Sequence, residues 1–237
     1  MHRFFLPTIP DVGPAILDGS EAHHLSHVLR ITSGTEIEVF DGRGRSAAAT
    51  VTRVGKRDVE LLLQGSRFTT PPTPELTLAV AAPKGDRLDW LVEKSVELGV
   101  RRLIPLITTR SVVDPREGKL DRLRQAVIAA CKQCRRDHLL EIQTPVRWTE
   151  FLAGLSRPDS CWIAHPGGVP IAALLPQADS LPLTAAIGPE GGFTDEEIAA
   201  GLQRGASLVS LGDLILRVET AAVAVASLVR LGSIAGR

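Results

Sequence analysis

The stretch AAIGPEGGFTDEEIAAGLQRG, Ala185 to Gly205, decides how the chain is read. An apolar run ends at Ile187, glycines follow at positions 188, 191 and 192, and a helical pattern opens near Thr194. A buried strand, a tight loop and a helix make the repeating unit of a parallel α/β sheet. Ligands in such sheets sit beyond the carboxyl ends of the strands, where this loop falls. Gly188, Gly191 and Gly192 let the backbone approach a ligand closely; a plain strand-to-helix loop with surplus glycines is the alternative. Thr194 and Glu197 have the spacing of a capping box, so the helix is expected to satisfy its own first amides. Asp195, Glu196 and Glu197 fill its first turn, and Glu190 stands in the loop. A phosphate there would meet carboxylates, and no G-K-[ST] follows. The loop better suits a ligand without phosphate that carries positive charge.

Outward from this loop the same alternation continues. LTLAVAAP (76–83), RRLIPLIT, SCWIAH, LTAAIG and SLVSLG read as buried strands. GDRLDWLVEKSVELG is a helix, with Asp86 as its cap, Leu88, Leu91, Val92, Ser95 and Leu98 as its inner stripe, and Gly99 as its end. LDRLRQAVIAACKQCRRDH is a second, longer helix, and further helices follow the last two strands. Upstream, TTPPTPE (Thr69–Glu75) breaks the pattern with clustered prolines. Before that seam, TEIEVFD, SAAATVTRV and DVELLLQG alternate in hydropathy between the turns DGRGR and VGKRD, which suggests a small β-barrel. One helix precedes them in GSEAHHLSHVLRIT, with Ser20 as its cap and Leu25, Val28 and Leu29 inward.

Composition narrows the function. The 237 residues carry 27 Lys plus Arg against 27 Asp plus Glu, so any nucleic-acid contact must come from local patches. The densest lies between Arg110 and Arg147, where nine basic residues, Arg116 among them, face five acidic ones including Asp114. Histidines and arginines near the N-terminus form a second. Arg3, His24, Arg30, Arg43, Arg45, Arg110 and Arg136 are the candidates for contact with a phosphate backbone; a solvated face is the alternative. With no Tyr and few Phe nearby, folded RNA fits better than base stacking on a flexible strand. The opening MHRFFLPTIPDVG lacks the apolar core of a signal peptide, and no run is long enough to span a bilayer, so a cytoplasmic protein is expected. Three cysteines argue against a disulfide framework. Cys131-x-x-Cys134 has only His138 and Cys161 as recruits for a metal, so free thiols and no metal site are expected.

In SLGDLILRVETAAVAVASLVRLG, Arg217 and Glu219 stand before an otherwise apolar helix. Charges at the mouth of a buried helix need partners or water. Either the two face a pocket shared with the glycine loop, or they pair with each other or elsewhere.

These segments together resemble the RsmE family of ribosomal RNA methyltransferases, of the SPOUT superfamily, nearly end to end. The resemblance is carried by HHLSHVLR, by KGDRLDWLVEKSVELGV at Lys84, Gly85, Asp89, Lys94, Glu97, Leu98 and Gly99, by Gln133 and Arg136, by IGPEGGF, and by ILRVETA from Ile215 to Ala221. Leu214 departs from the arginine usual there, and Leu140 from a common proline. The resemblance implies a PUA-like RNA-binding barrel over residues 1–70, then a SPOUT domain over 75–237. That domain would have a mostly parallel sheet, helices on both faces and a C-terminal trefoil knot, a feature that pattern reasoning alone argues against. It further implies a homodimer that uses S-adenosylmethionine to methylate N3 of a uridine in small-subunit ribosomal RNA. The cofactor would lie among loops holding His165, then Gly188, Pro189, Glu190, Gly191 and Gly192, then Leu211, Gly212, Ile215 and Leu216. Arg217 would be the cation that holds the uracil, and Glu219 the base or the group that orients Arg217. The rivals are a non-catalytic RNA-binding factor with a degenerate cofactor site and a nucleotide-binding enzyme.

Overall fold

The computed structural model describes residues 1–112, 117–175 and 181–235. Asp114 and Arg116 of the basic stretch lie outside the described residues. The chain divides into two compact units, Met1–Pro71 with Cys131–Leu139, and Pro72–Ala130 with Leu140–Arg237.

The first unit is built on β1 (Arg3–Phe5), β2 (Gly13–Leu17), β3 (Glu36–Phe40), β4 (Arg45–Val54) and β5 (Val59–Phe68). Their order is β1-β3-β4-β5-β2, with β1 parallel to β3 and the other pairs antiparallel. Alternation puts Ile37, Val39, Ala47, Ala49, Val51, Val59, Leu61 and Leu63 into one core. The helix expected after Gly19 is shorter and irregular. Regular α1 (Gly19–His23) passes into a π turn over His24–Val28, closed by Leu29 N–H donating to the His24 carbonyl at 3.0 Å. The wider turn shifts the phase, so Leu25 is buried while Val28 is exposed. Asp18, not Ser20, holds the cap position, and its side chain makes no capping bond.

The segment Cys131–Leu139, which the sequence pattern places downstream of the seam, belongs to this first unit. Arg3 explains the attachment. Its guanidinium donates to the carbonyls of Cys131 and Arg136 at 3.1 Å each, pairs with Asp137, lies 3.3 Å from Glu38 and covers the Phe40 ring. Asp137 also accepts from Ser46 and Thr69. Arg3 is therefore 7% exposed and committed to the interior, which corrects its assignment as a phosphate contact.

The second unit contains β6 (Leu76–Ala81), α2 (Arg87–Glu97), β7 (Arg102–Ile107), most of α3 (Glu117–Cys134), β8 (Glu141–Ile142), β9 (Val146–Arg147), α4 (Trp148–Ala153), β10 (Cys161–Pro170), β11 (Leu183–Ile187), α5 (Asp195–Gln203), β12 (Ser207–Ser210) and α6 (Val218–Ala235). All its strand pairs are parallel, in the order β12-β10-β11-β6-β7-β8, with β9 also on β7. Ala79, Leu106, Ile163 and Ala186 form one core with Trp148, Phe151 and Phe193 on the face that α4 and α5 cover. The alternate residues, such as Leu78 and Val80, point to the other face, where α2 and α6 pack together and α6 lies on β6 and β11. Helices thus cover both faces. After the outer strand β12 the chain returns past β10 to reach β11 and β6, the re-entry that a trefoil knot requires.

Two details of α2 differ from its pattern. Val96, not Leu98, completes the buried stripe, because Leu98 is already the C-cap and Gly99 turns the chain at φ +69°. Asp86 stands at the N-cap without a side-chain bond. Arg230 of α6 closes the other end, donating to the carbonyls of Leu98, Gly99 and Pro74 at 2.6–3.0 Å. Among the described residues no helix is long and apolar enough to cross a membrane.

Candidate active site

Three neighbouring strands of the second unit, β12, β10 and β11, end side by side, and the loops that leave them enclose a cleft of about 380 Å³. Ala164, His165 and Pro166 line it from the end of β10, Gly188–Phe193 from the loop after β11, and Leu211, Gly212, Leu214, Ile215 and Leu216 from the loop after β12. All ten residues expected to hold a cofactor therefore line one cavity.

The glycine loop is held from behind. Thr194 and Glu197 form the capping box, with Glu197 N–H donating to Thr194 Oγ1 at 3.2 Å and Thr194 N–H to Glu197 Oε2 at 2.9 Å. Glu197 Oε1 accepts from the amide and hydroxyl of Thr109 at 2.8 and 3.0 Å, which fastens the segment after β7 to the start of α5. Arg110 then reaches the loop itself, donating to the Gly191 carbonyl at 2.6 Å. Within the loop, Gly192 N–H donates to the Pro189 carbonyl at 2.8 Å and Gly192 sits at φ +71°, a region that L side chains rarely adopt. A Cβ on Gly188 would lie 2.9 Å from the Phe193 ring, which packs on Trp148.

Glu190 and Arg110 are the charged side chains of the lining, and the cap of α5 engages the amides of Thr194 and Glu197. A bond to its own backbone amide, the Thr194 hydroxyl and the nearby Arg110 hold the Glu196 carboxyl below the usual range against a smaller opposing effect of burial. Arg110, expected as an RNA contact, lines this cleft.

Opposite, Gly212 turns at φ +118° and leaves Leu214 and Ile215 at 81% and 89% exposure. Arg217 is exposed, between the cleft-lining Leu216 and Val218, and makes no ion pair among the described residues. Glu219 is buried and pairs with Arg87 at 3.6 Å, so it does not orient Arg217 through a salt bridge. Its second oxygen, Oε2, has no hydrogen-bond partner. Arg87 also reaches Glu190 at 3.2 Å. Sequence reasoning passed over Arg87, although it follows the matched Lys84 and Gly85 at the start of α2. The pairing of Lys94 with Glu97, at 2.7 Å, has the i,i+3 spacing of a helix-surface pair.

In the first unit Arg30, Arg43 and Arg45 are exposed, Arg45 pairing with Asp11. His24 is half-buried against Phe4, and Arg136 is half-buried, its carbonyl taken by Arg3. The three cysteines are free thiols, and burial pushes the Cys161 thiol up to about 12.

A parallel sheet with a cleft at three adjacent strand ends has the organisation of a ligand-binding α/β unit. An RNA methyltransferase domain model matches residues 70–230, and an RNA methyltransferase PUA domain model matches residues 17–64. The ribosomal RNA small subunit methyltransferase E of Synechocystis is 33% identical over 210 residues, covering 86% of this chain and 69% of that protein. That of Mycobacterium bovis is 31% identical, covering 92% of this chain and 87% of that protein. The crystal structure of the Neisseria gonorrhoeae protein of the same name, bound to S-adenosyl methionine, superposes with a TM-score of 0.88 at 29% identity, covering 98% of this chain and 97% of that one. The chain belongs to the ribosomal RNA small subunit methyltransferase E family.

Proposed function

We propose that the chain transfers a methyl group from S-adenosylmethionine to N3 of a uridine in small-subunit ribosomal RNA. One observation carries this reading: three adjacent strand ends enclose a cleft with a glycine-rich wall that holds Glu190, and the helix that follows this wall opens on its own capping box and three carboxylates. Carboxylates in the first turn of that helix disfavour phosphate and suit a ligand that bears a sulfonium and an ammonium. His165, Gly188 to Gly192, Leu211, Gly212, Ile215 and Leu216 would hold it, with Leu214–Leu216 supplying apolar contact and Gly192 the close backbone approach. When bound, S-adenosylmethionine supplies a methyl group on an already activated leaving group.

The remaining chemistry falls to the protein. N3 of uracil carries a proton at neutral pH, so it must lose that proton and the resulting negative charge must be stabilised. Arg217, exposed beside the cleft and free of an ion pair among the described residues, is the cation for the uracil oxygens. Glu219, buried next to the cleft-lining Val218 and itself outside the lining, would take up the proton, its Oε2 having no donor. The uridine would be unpaired or flipped out to reach the methyl group. Residues 1–70 would hold the RNA, with Arg30, Arg43 and Arg45 available at their surface, and residues 75–237 would carry out the transfer. Exposed Leu228 and Leu231 on α6 support a homodimer. A chain that acts on ribosomal RNA would work in the cytoplasm.

Two assays separate this reading from its rivals. S-adenosylmethionine should bind and ATP should not; the reverse would favour a nucleotide enzyme, and binding of neither a degenerate site. Arg217→Ala should lower the transfer rate by about 10²–10⁴-fold with cofactor affinity kept. Equal rates would remove Arg217 from the mechanism.

A further inference from the structure

Arg87 opens α2 and divides its guanidinium between two carboxylates from separate segments of the second unit. Nη2 lies 3.2 Å from Oε1 of Glu190, in the wall of the cleft, and Nη1 lies 3.6 Å from Oε1 of Glu219, in the first turn of α6. Nε donates to the Lys84 carbonyl at 3.3 Å, which ties the side chain to its own turn. The two carboxylates differ in situation. The Glu190 side chain is 46% exposed and at the rim, whereas that of Glu219 is 9% exposed with one oxygen lacking any donor. A planar fork reaches both at once with different nitrogens held in one rigid geometry, which the single nitrogen of an ammonium does not offer.

We propose that Arg87 is a positioning residue that couples the cofactor cleft to Glu219, fixing Glu190 in the wall and Glu219 behind it through one guanidinium. The inference rests on the reading of the cleft as the S-adenosylmethionine site and of Glu219 as the proton acceptor. Two consequences separate it from a general structural role. Loss of Arg87 acts on cofactor affinity through Glu190 and on transfer rate through Glu219, so each effect disappears when the matching carboxylate is already gone. Lysine at this position restores one effect but not both.

The test is a pair of double-mutant cycles, Arg87→Met with Glu190→Gln and Arg87→Met with Glu219→Gln, with Arg87→Lys alongside. S-adenosylmethionine affinity is read by calorimetry, single-turnover methyl transfer to small-subunit RNA gives the rate, and thermal unfolding monitors the fold. Arg87→Met should weaken affinity and slow transfer by roughly tenfold each. In the Glu190→Gln background the affinity loss should vanish, and in the Glu219→Gln background the rate loss should vanish. Losses that multiply independently, or full recovery of both by lysine, would overturn the inference while leaving the cleft as the cofactor site. Should Arg87→Met fail to fold, the one-sided recovery by Arg87→Lys still decides. A wild-type chain that binds no S-adenosylmethionine would instead overturn the reading of the cleft, and the inference with it.

Discussion

Gly192 shows how much a single backbone angle can decide. At φ +71° it turns the loop back to the Pro189 carbonyl, and open space lies where a Cβ would stand. A β-branched side chain there is strained by its backbone and projects from the wall that the cofactor would touch. Gly192→Val should reduce S-adenosylmethionine binding below calorimetric detection, with far-UV circular dichroism unchanged; retained affinity would show that the loop does not contact the ligand. Gly188 differs, since its Cβ would meet the Phe193 ring, so Gly188→Ala acts by displacing Phe193. The wall residues were legible because one short motif carries them. Arg87 and Arg3 were not legible, for a shared reason. An arginine in a sequence reads as a surface cation, and only the folded chain brings Glu190 and Glu219 to the first, or the Cys131–Leu139 segment to the second.

At the scale of elements, the start of α5 was readable from Thr194 and Glu197 alone, because a capping box is a local exchange of two bonds. Thr194→Ala should cost about 1 kcal/mol in urea unfolding. The start of α1 was misread, since Ser20 has the right chemistry but the cap falls two residues earlier, at Asp18, and the helix widens into a π turn after His23. Between α2 and α3, Asp89 is shared by Lys119 at 2.5 Å and Arg122 at 2.7 Å. Burial pushes the Asp89 carboxyl upward, but the bonds from these two cations outweigh it and hold the carboxyl below its ordinary range. A lowered folded-state value stabilises above the ordinary aspartate range, about pH 4, and the stabilisation is lost as the pH falls through the folded-state value. Asp89→Asn should therefore be less stable than wild type at neutral pH, with the gap closing below about pH 4. An unchanged gap in acid would show that the ion pairs do not carry it.

For the whole molecule, the alternation of strands and helices after Leu76 was enough to give a parallel α/β unit, and period-two runs before Phe68 gave β3, β4 and β5 of the first unit. The return of α6 past β10 to β11 was beyond such patterns, because no local periodicity reports strand order. The resemblance at IGPEGGF and ILRVETA supplied that expectation instead. Strands β1 and β2 escaped notice because three residues, and five with Pro14 among them, carry too little alternation. Chemistry at the molecular scale reduces to one claim, that this chain methylates N3 of a uridine in small-subunit RNA. Its most direct test is transfer of label from S-adenosylmethionine to small ribosomal subunits that lack the modification, followed by digestion to nucleosides. The account predicts label in 3-methyluridine. Label in another nucleoside, or none from a chain that binds the cofactor, would contradict it.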